Sequence, residues 1–321
     1  LQLIALQWIP FYVLYLLRGL DRWQPLQAAG GKRRAARSLA VDSLKAGLFL
    51  ALVGLVDWYY VMYCSMFTGL LLTIRLLQSR LTWRGAGVVA GALAFFGLAL
   101  SPLWLPMVQA AAGWSGSLLR GHQETLALSA DLLAFVTPQV FHPLWGDWAL
   151  ARSAGFTATP SEYTVFVGYS VLALCGIALL AMRIARSDSP RPAIGHSAAA
   201  HAGPAAGQDG QSSASPGLYL LSAAFFALLA LGPALKINGQ TDLLPGGGQI
   251  PLPYRLLYEF APFVKLSRSV SRMDVMVMLC LGVAAAFGVV ALARWLGGGV
   301  EGGEGKRGKG GGWVGAVVGV G

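Results

Sequence analysis

The feature that most constrains this chain is a recurrent apolar run of near-membrane length with almost no charge inside it. A helix needs about 20 mostly apolar residues to cross a hydrocarbon core about 30 Å thick. Seven runs approach that pattern, at 1–17, 44–56, 57–74, 86–107, 163–182, 218–235 and 275–296. The composition agrees: 55% of residues are hydrophobic, 12% are charged, and the mean hydropathy is +0.60. Soluble domains carry about 25% charged residues. The competing reading, a soluble all-helical protein, would have to cover its surface with half that charge. The predicted fold class is therefore all-α: a polytopic helical membrane protein with about seven transmembrane helices.

The connections are punctuated by charge and by proline and glycine. A basic stretch with Arg22, Lys32, Arg33, Arg34 and Arg37 reads as a loop after the first run, and Arg75, Arg80 and Arg84 mark another after the third. Pro102 and Pro106 are expected to kink or end the fourth helix. Two larger polar loops are predicted at 113–162 and 236–272, the second holding a short proline-bounded helix in PLPYRLLYEFAPF. Residues 187–216, rich in Ala, Gly, Ser and Pro without apolar periodicity, read as a flexible linker. Residues 297–321 read as a glycine-rich disordered tail beyond a polytopic domain at 1–296. The chain starts at Leu1, inside an apolar run, so a missing N-terminal portion is expected.

Charge placement orients these loops. The segments after the first, third, fifth and seventh runs, with Lys45 and Arg294 at the adjoining run ends, hold 17 of the 24 Lys and Arg residues, leaving 7 on the other side. Positive residues favour the cytoplasm, so both large polar loops are expected outside, with the linker and tail inside. That rule also accounts for the net charge of +10 without a nucleic-acid partner. Of the 14 acids, 8 fall on the outer side, among them Asp57, Glu124, Asp131, Asp147, Glu162, Asp242, Glu259 and Asp274. Cys64, Cys175 and Cys280 lie far apart within apolar runs and read as small buried hydrophobes.

Each candidate functional residue carries a second, structural reading. Asp57, beside Trp58, Tyr59 and Tyr60, could bind a sugar hydroxyl or a metal, or simply end a helix at the water interface. His142, with Asp147 nearby, suits proton relay, and Trp145 and Trp148 suit stacking on a sugar; the alternative is a loop pinned by its own prolines and aromatics. Asp131 reads as an acid in a helix's first turn. Glu162 could start the fifth helix or face an outer site. Arg255, Lys265, Arg268 and Arg272 run against the positive-inside bias. Bidentate binding of a phosphate would explain the arginines, as would pairing with Glu259 and Asp274. Gly246–Gly248 lacks the lysine of a phosphate loop, so a soluble nucleotide donor is not expected.

Several strings then combine: QWIPFYVLYLLR at 7–18, AGLFLALVGLVDWYYVMY at 46–63, SADLLAFVTPQVFHPLWG at 129–146, SEYTVFVGYSVLAL at 161–174, LLALGPALKINGQ at 228–240 and IPLPYRLLYEFAPFVKLSRSVSRMDVMVML at 250–279. Together, in this order, they resemble bacterial integral-membrane proteins of the GT-C glycosyltransferase type, similar to the YfhO-like family. The resemblance implies an enzyme of the bacterial cytoplasmic membrane with its active site outside. It would transfer a sugar from a polyprenyl-phosphate carrier to an envelope lipid, glycan or protein acceptor. In such enzymes the catalytic acid lies in the first outer loop, which here would fall upstream of Leu1. Arg255, Arg268 and Arg272 would steady the carrier phosphate, and His142, Asp147 and Glu162 would shape the acceptor pocket. No cofactor is evident, although a divalent metal is compatible with the chemistry. The alternative function is a non-catalytic membrane protein that scaffolds or moves envelope lipids. A transporter would be expected to carry charges in broken helices at mid-membrane, and the apolar runs here hold few.

Overall fold

The structure, a computed structural model, describes residues 6–21, 32–112, 121–157, 164–187, 215–261, 264–265, 267 and 269–297. It is almost wholly helical. The long apolar helices are α1 (Ile9–Asp21), α2 (Lys32–Val56), α3 (Trp58–Leu77), α4 (Trp83–Ala99) and α5 (Ser101–Ala112). Short α6 (His122–Ala127) and α7 (Gly146–Ser153) follow, then α8 (Tyr169–Ser187) and α9 (Pro216–Ala230). A two-residue-wide hairpin, β1 (Asp242–Leu244) against β2 (Gly248–Gln249), leads to α10 (Pro253–Phe260) and α11 (Asp274–Gly297).

Among the described residues, three helical segments are long and apolar enough to cross a membrane: 36–56, 58–77 and 270–296. A fourth exists if α4 and α5 count as one span, bent by 74° between them. α8 and α9 are apolar but shorter. At 1.5 Å per residue, the 15 residues of α9 reach only about 22 Å, short of a 30 Å core.

Several boundaries differ from the sequence reading for physical reasons. The basic stretch from Lys32 to Arg37 is not a loop: it is the start of α2, whose 25 residues make it the longest helix described rather than a short span. Lys, Arg and Ala are strong helix formers, so the charge marks polarity there and not a break. The fourth run breaks after Ala99, and Pro102 sits in the first turn of α5, where its missing N–H costs nothing. α8 starts at Tyr169, not near 163, with 164–168 non-helical before it. Glu162, the linker residues 188–214, and 298–321 of the tail lie outside the described residues.

The helices pack as two groups joined by α3. α1, α2 and α4 form one, stitched by stacked Trp8, Phe11 and Tyr15 on Phe49. α8, α9 and α11 form the other, with Tyr219 against Phe287. There α8 approaches so closely that the Leu174 carbonyl lies directly over Gly288, where a Cβ would collide with it. α3 bridges the groups: Tyr12 shares a 2.5 Å hydrogen bond with Thr68, and Phe67 stacks on Phe226. One end of the bundle is basic. There Arg75, buried, pairs with Asp21 at 2.5 Å and donates to the Leu20 carbonyl at 3.2 Å. The other end carries a polar cap. Cys64, Cys175 and Cys280 are all buried free thiols.

Candidate functional site

The cap is built from both large polar segments, and hydrogen bonds make them one body. The N–H of Ala130 donates to the Ala230 carbonyl at 2.9 Å, and that of Leu132 to the Lys236 carbonyl at 2.9 Å. Asp131 is buried and works twice. One carboxylate oxygen accepts from the Leu133 N–H at 2.9 Å, capping a 3-10 turn over Leu132–Phe135, and the other accepts from the Gly239 N–H at 2.7 Å. Gly239 has φ +80° and lies against the Gly155 carbonyl, so only glycine fits there.

Lys236 completes the joint. It is 2% exposed, and its Nζ donates to the carbonyls of Leu126 (3.0 Å) and Ala127 (3.2 Å) and to the Thr157 hydroxyl (3.2 Å). Burial pushes its ammonium down to about 8, with the Asp131 charge opposing the drop.

Beneath this cap lies a buried hydroxyl-rich cluster, where the second turn of α3 meets the chain entering α11. The Tyr63 hydroxyl donates to the Ser269 carbonyl at 3.4 Å and lies within electrostatic reach of Ser267, Tyr254, Tyr60 and Arg272. Ser269 and Ser271 share a 2.9 Å hydrogen bond, and the Ser271 N–H reaches the Leu128 carbonyl of the other loop at 3.4 Å. Tyr254 is 0% exposed; burial raises its phenol above the ordinary value, and Tyr258 adds to that. Among the described residues, the buried side-chain atoms that make no regular hydrogen bond are the Tyr254 hydroxyl, the Ser267 hydroxyl and Oδ1 of Asp274. Asp274 opens α11, where an acid complements the helix dipole. Buried polar groups normally find partners. The hydroxyls of Tyr254 and Ser267 and Oδ1 of Asp274 therefore mark this cluster as the candidate site.

The residues singled out from sequence have different fates. Asp57 caps α3 by accepting from the Tyr59 N–H at 2.9 Å, which is its structural reading. His142 accepts through Nδ1 from the N–H groups of Leu144 and Trp145, both at 3.2 Å, so it fixes its own loop. Asp147 is exposed in the first turn of α7, and Trp145 meets Trp148 edge-on at 6.2 Å, each about half exposed. Arg255 is exposed and pairs with Glu259 at 3.1 Å, one helical turn away. Lys265 sits 4.9 Å over the Tyr258 ring. Glu162 and Arg268 lie outside the described residues. Of the candidates described, Arg272 is the one whose charge reaches Tyr63 of the hydroxyl cluster.

Sequence reasoning missed Tyr63, Tyr254, Ser267 and Lys236. One pattern was present: Ser267, Ser269 and Ser271 alternate with Arg268, Val270 and Arg272, and all three serines are buried. Ser269 is extended, whereas Ser271 lies in a 3-10 turn over Val270–Met273 and Val270 between them is buried too, so a period of two would not have found the cluster. Among the described residues no three His, Cys, Asp or Glu side chains come together as metal donors. Comparison of the chain with protein-family models, curated proteins and solved structures gave no match.

Proposed function

We propose that this chain is a polytopic enzyme of a bacterial cytoplasmic membrane, of the GT-C glycosyltransferase type, that uses a polyprenyl-phosphate-linked sugar on the outer face. In this reading all seven apolar segments cross the bilayer. α8 and α9 are short because the cap continues the protein beyond their ends. The observation that supports this reading is the buried hydroxyl cluster of Tyr63, Tyr254 and Ser267, on which Arg272 acts as a longer-range charge through Tyr63. A guanidinium with convergent hydroxyl donors suits a phosphoryl group, whose oxygens accept several charge-assisted hydrogen bonds. Held there, the carrier phosphate would leave as an anion stabilised by Arg272 while the sugar passes to an envelope acceptor. Arg255, committed to Glu259 at the surface, drops out of the phosphate site.

A second reading, a non-catalytic protein that scaffolds or moves envelope lipids, is favoured by the fate of the acids. Asp57 and Asp131 are committed to capping and Glu259 to an ion pair, which leaves them unsuited to activating an acceptor.

One experiment separates the readings. The purified full chain in detergent is titrated with polyprenyl phosphate, and transfer from a polyprenyl-phosphate sugar is assayed in parallel. Arg272→Ala is expected to weaken carrier binding about tenfold or more, for loss of one charge-assisted contact worth about 1.5–3 kcal/mol, while Arg255→Ala leaves it unchanged. Binding without transfer would move the assignment to the second reading. Equal binding by wild type and Arg272→Ala would remove the phosphate site altogether.

A further inference from the structure

At the opposite, basic end of the bundle, the first half of α2 and the first half of α4 leave a groove of about 680 Å³ between them. Its walls are low because small residues line both sides, Ala36 and Ala40 on α2 and Gly87 and Gly91 on α4. Its floor is tight. Ser43 donates to the Val88 carbonyl at 2.9 Å, and a Cβ on Gly91 would run into the Ser43 hydroxyl. Gly87 differs: a Cβ there would meet nothing within 4 Å, so it faces the open space of the groove.

The mouth of the groove is not apolar. Arg84 lines it, next to Trp83, which is 94% exposed. Both stand in the first turn of α4, where the helix dipole already supplies positive potential. An arginine there is unfavourable to the helix alone and favourable to an anion bound beside it. Arg37 and Arg80, both exposed, add charge at the same end. A mostly apolar groove with cationic and indole groups at one end matches an amphiphile with an anionic head. Indole rings favour the headgroup level, and arginines near the surface attract anionic lipid.

We propose that this groove binds one anionic phospholipid of the leaflet facing the basic end, its acyl chain along Ala40 and Gly87 and its phosphate at Arg84. The site is independent of the pocket under the cap, so either assignment can fail without the other.

The test uses the full chain, delipidated in mild detergent and titrated with phosphatidylglycerol or phosphatidylcholine, with bound lipid counted by native mass spectrometry. Phosphatidylglycerol is expected to be retained on the order of five- to tenfold better, as one or two surface cations would give. Arg84→Ala should reduce that preference to near unity. Gly87→Phe, which fills the groove without touching its floor, should abolish retention of both lipids; its melting profile checks that it folds. Equal retention of the two lipids by wild type would overturn the proposal, as would undiminished retention by a folded Gly87→Phe. If Gly87→Phe instead converts a dimer to a monomer with lipid retention unchanged, the groove seats a second copy of the chain and the lipid assignment is wrong.

Discussion

Lys236→Met tests the joint between the two halves of the cap. Methionine keeps the length and most of the volume of the side chain but removes three donated hydrogen bonds. The carbonyls of Leu126 and Ala127 and the Thr157 hydroxyl then lose the ammonium. A buried acceptor left unpaired costs about 1–3 kcal/mol. The Leu126 bond is fully buried and the other two partly so, which favours the low end and gives a loss of about 3 kcal/mol for the three. Removing a desolvated ammonium returns part of this, since the lowered Lys236 pKa reports that desolvation. The net expectation is a destabilisation of about 2 kcal/mol, or a fall in melting temperature of about 3 °C for a chain of 321 residues. The assay is thermal unfolding in detergent together with amide hydrogen exchange. Faster exchange should be confined to residues 121–157 and 232–252, because those are the segments Lys236 ties together. A variant that melts within about 1 °C of wild type, with exchange unchanged in both segments, would refute the claim that this lysine holds the cap.

Three further outcomes are expected. The folded-state pKa of Lys236, about 8, lies below its ordinary value of 10.5. Between those pH values the unfolded chain binds a proton that the folded chain does not, so the stability contributed by Lys236 rises with pH across that window and is flat below it. The melting difference between wild type and Lys236→Met should therefore widen from pH 8 to pH 10, and a constant difference would contradict the assigned burial. Gly288→Ala should force α8 and α11 apart, because the new Cβ collides with the Leu174 carbonyl; a loss of about 1–3 kcal/mol is expected, read as a lower melting midpoint, and wild-type stability would mean the close approach is not real. Asp57→Ala removes the cap of α3 and should cost about 1 kcal/mol, whereas Asp57→Asn should restore most of it; loss of carrier binding with stability intact would instead return Asp57 to a functional role.

Much of the helical framework was legible in the chain because hydrophobic length and charge are local properties. The apolar core of nearly every long helix, the proline-bounded α10 and the kink near Pro102 could be read from runs and breakers alone. Helix starts were less legible. The basic residues from Lys32 look like a loop when hydropathy is the only guide, yet they propagate a helix well. At the other boundary, the non-helical residues 164–168 look like a continuation of α8 because most of them are apolar too.

The site was far less legible. Asp57, His142 and Arg255 stood out as polar residues in apolar surroundings, but the folded chain satisfies each one locally, by an N-cap, a loop hydrogen bond and an ion pair one turn away. Tyr63 and Tyr254 looked like ordinary core or interface aromatics, and Lys236 like the start of a loop. Their importance comes from partners more than a hundred residues distant: Lys236 on Leu126, and Tyr63 on Ser269. The sequence by itself determined that this chain forms long apolar helices and concentrates its polar residues in two segments. Only the tertiary structure decided that those segments form one cap, and that Tyr63 meets the chain at Ser269 beneath it. Hydrophobic periodicity is set by each helix and its surroundings, whereas a polar pocket is defined by which distant groups remain unpaired once all the others have met.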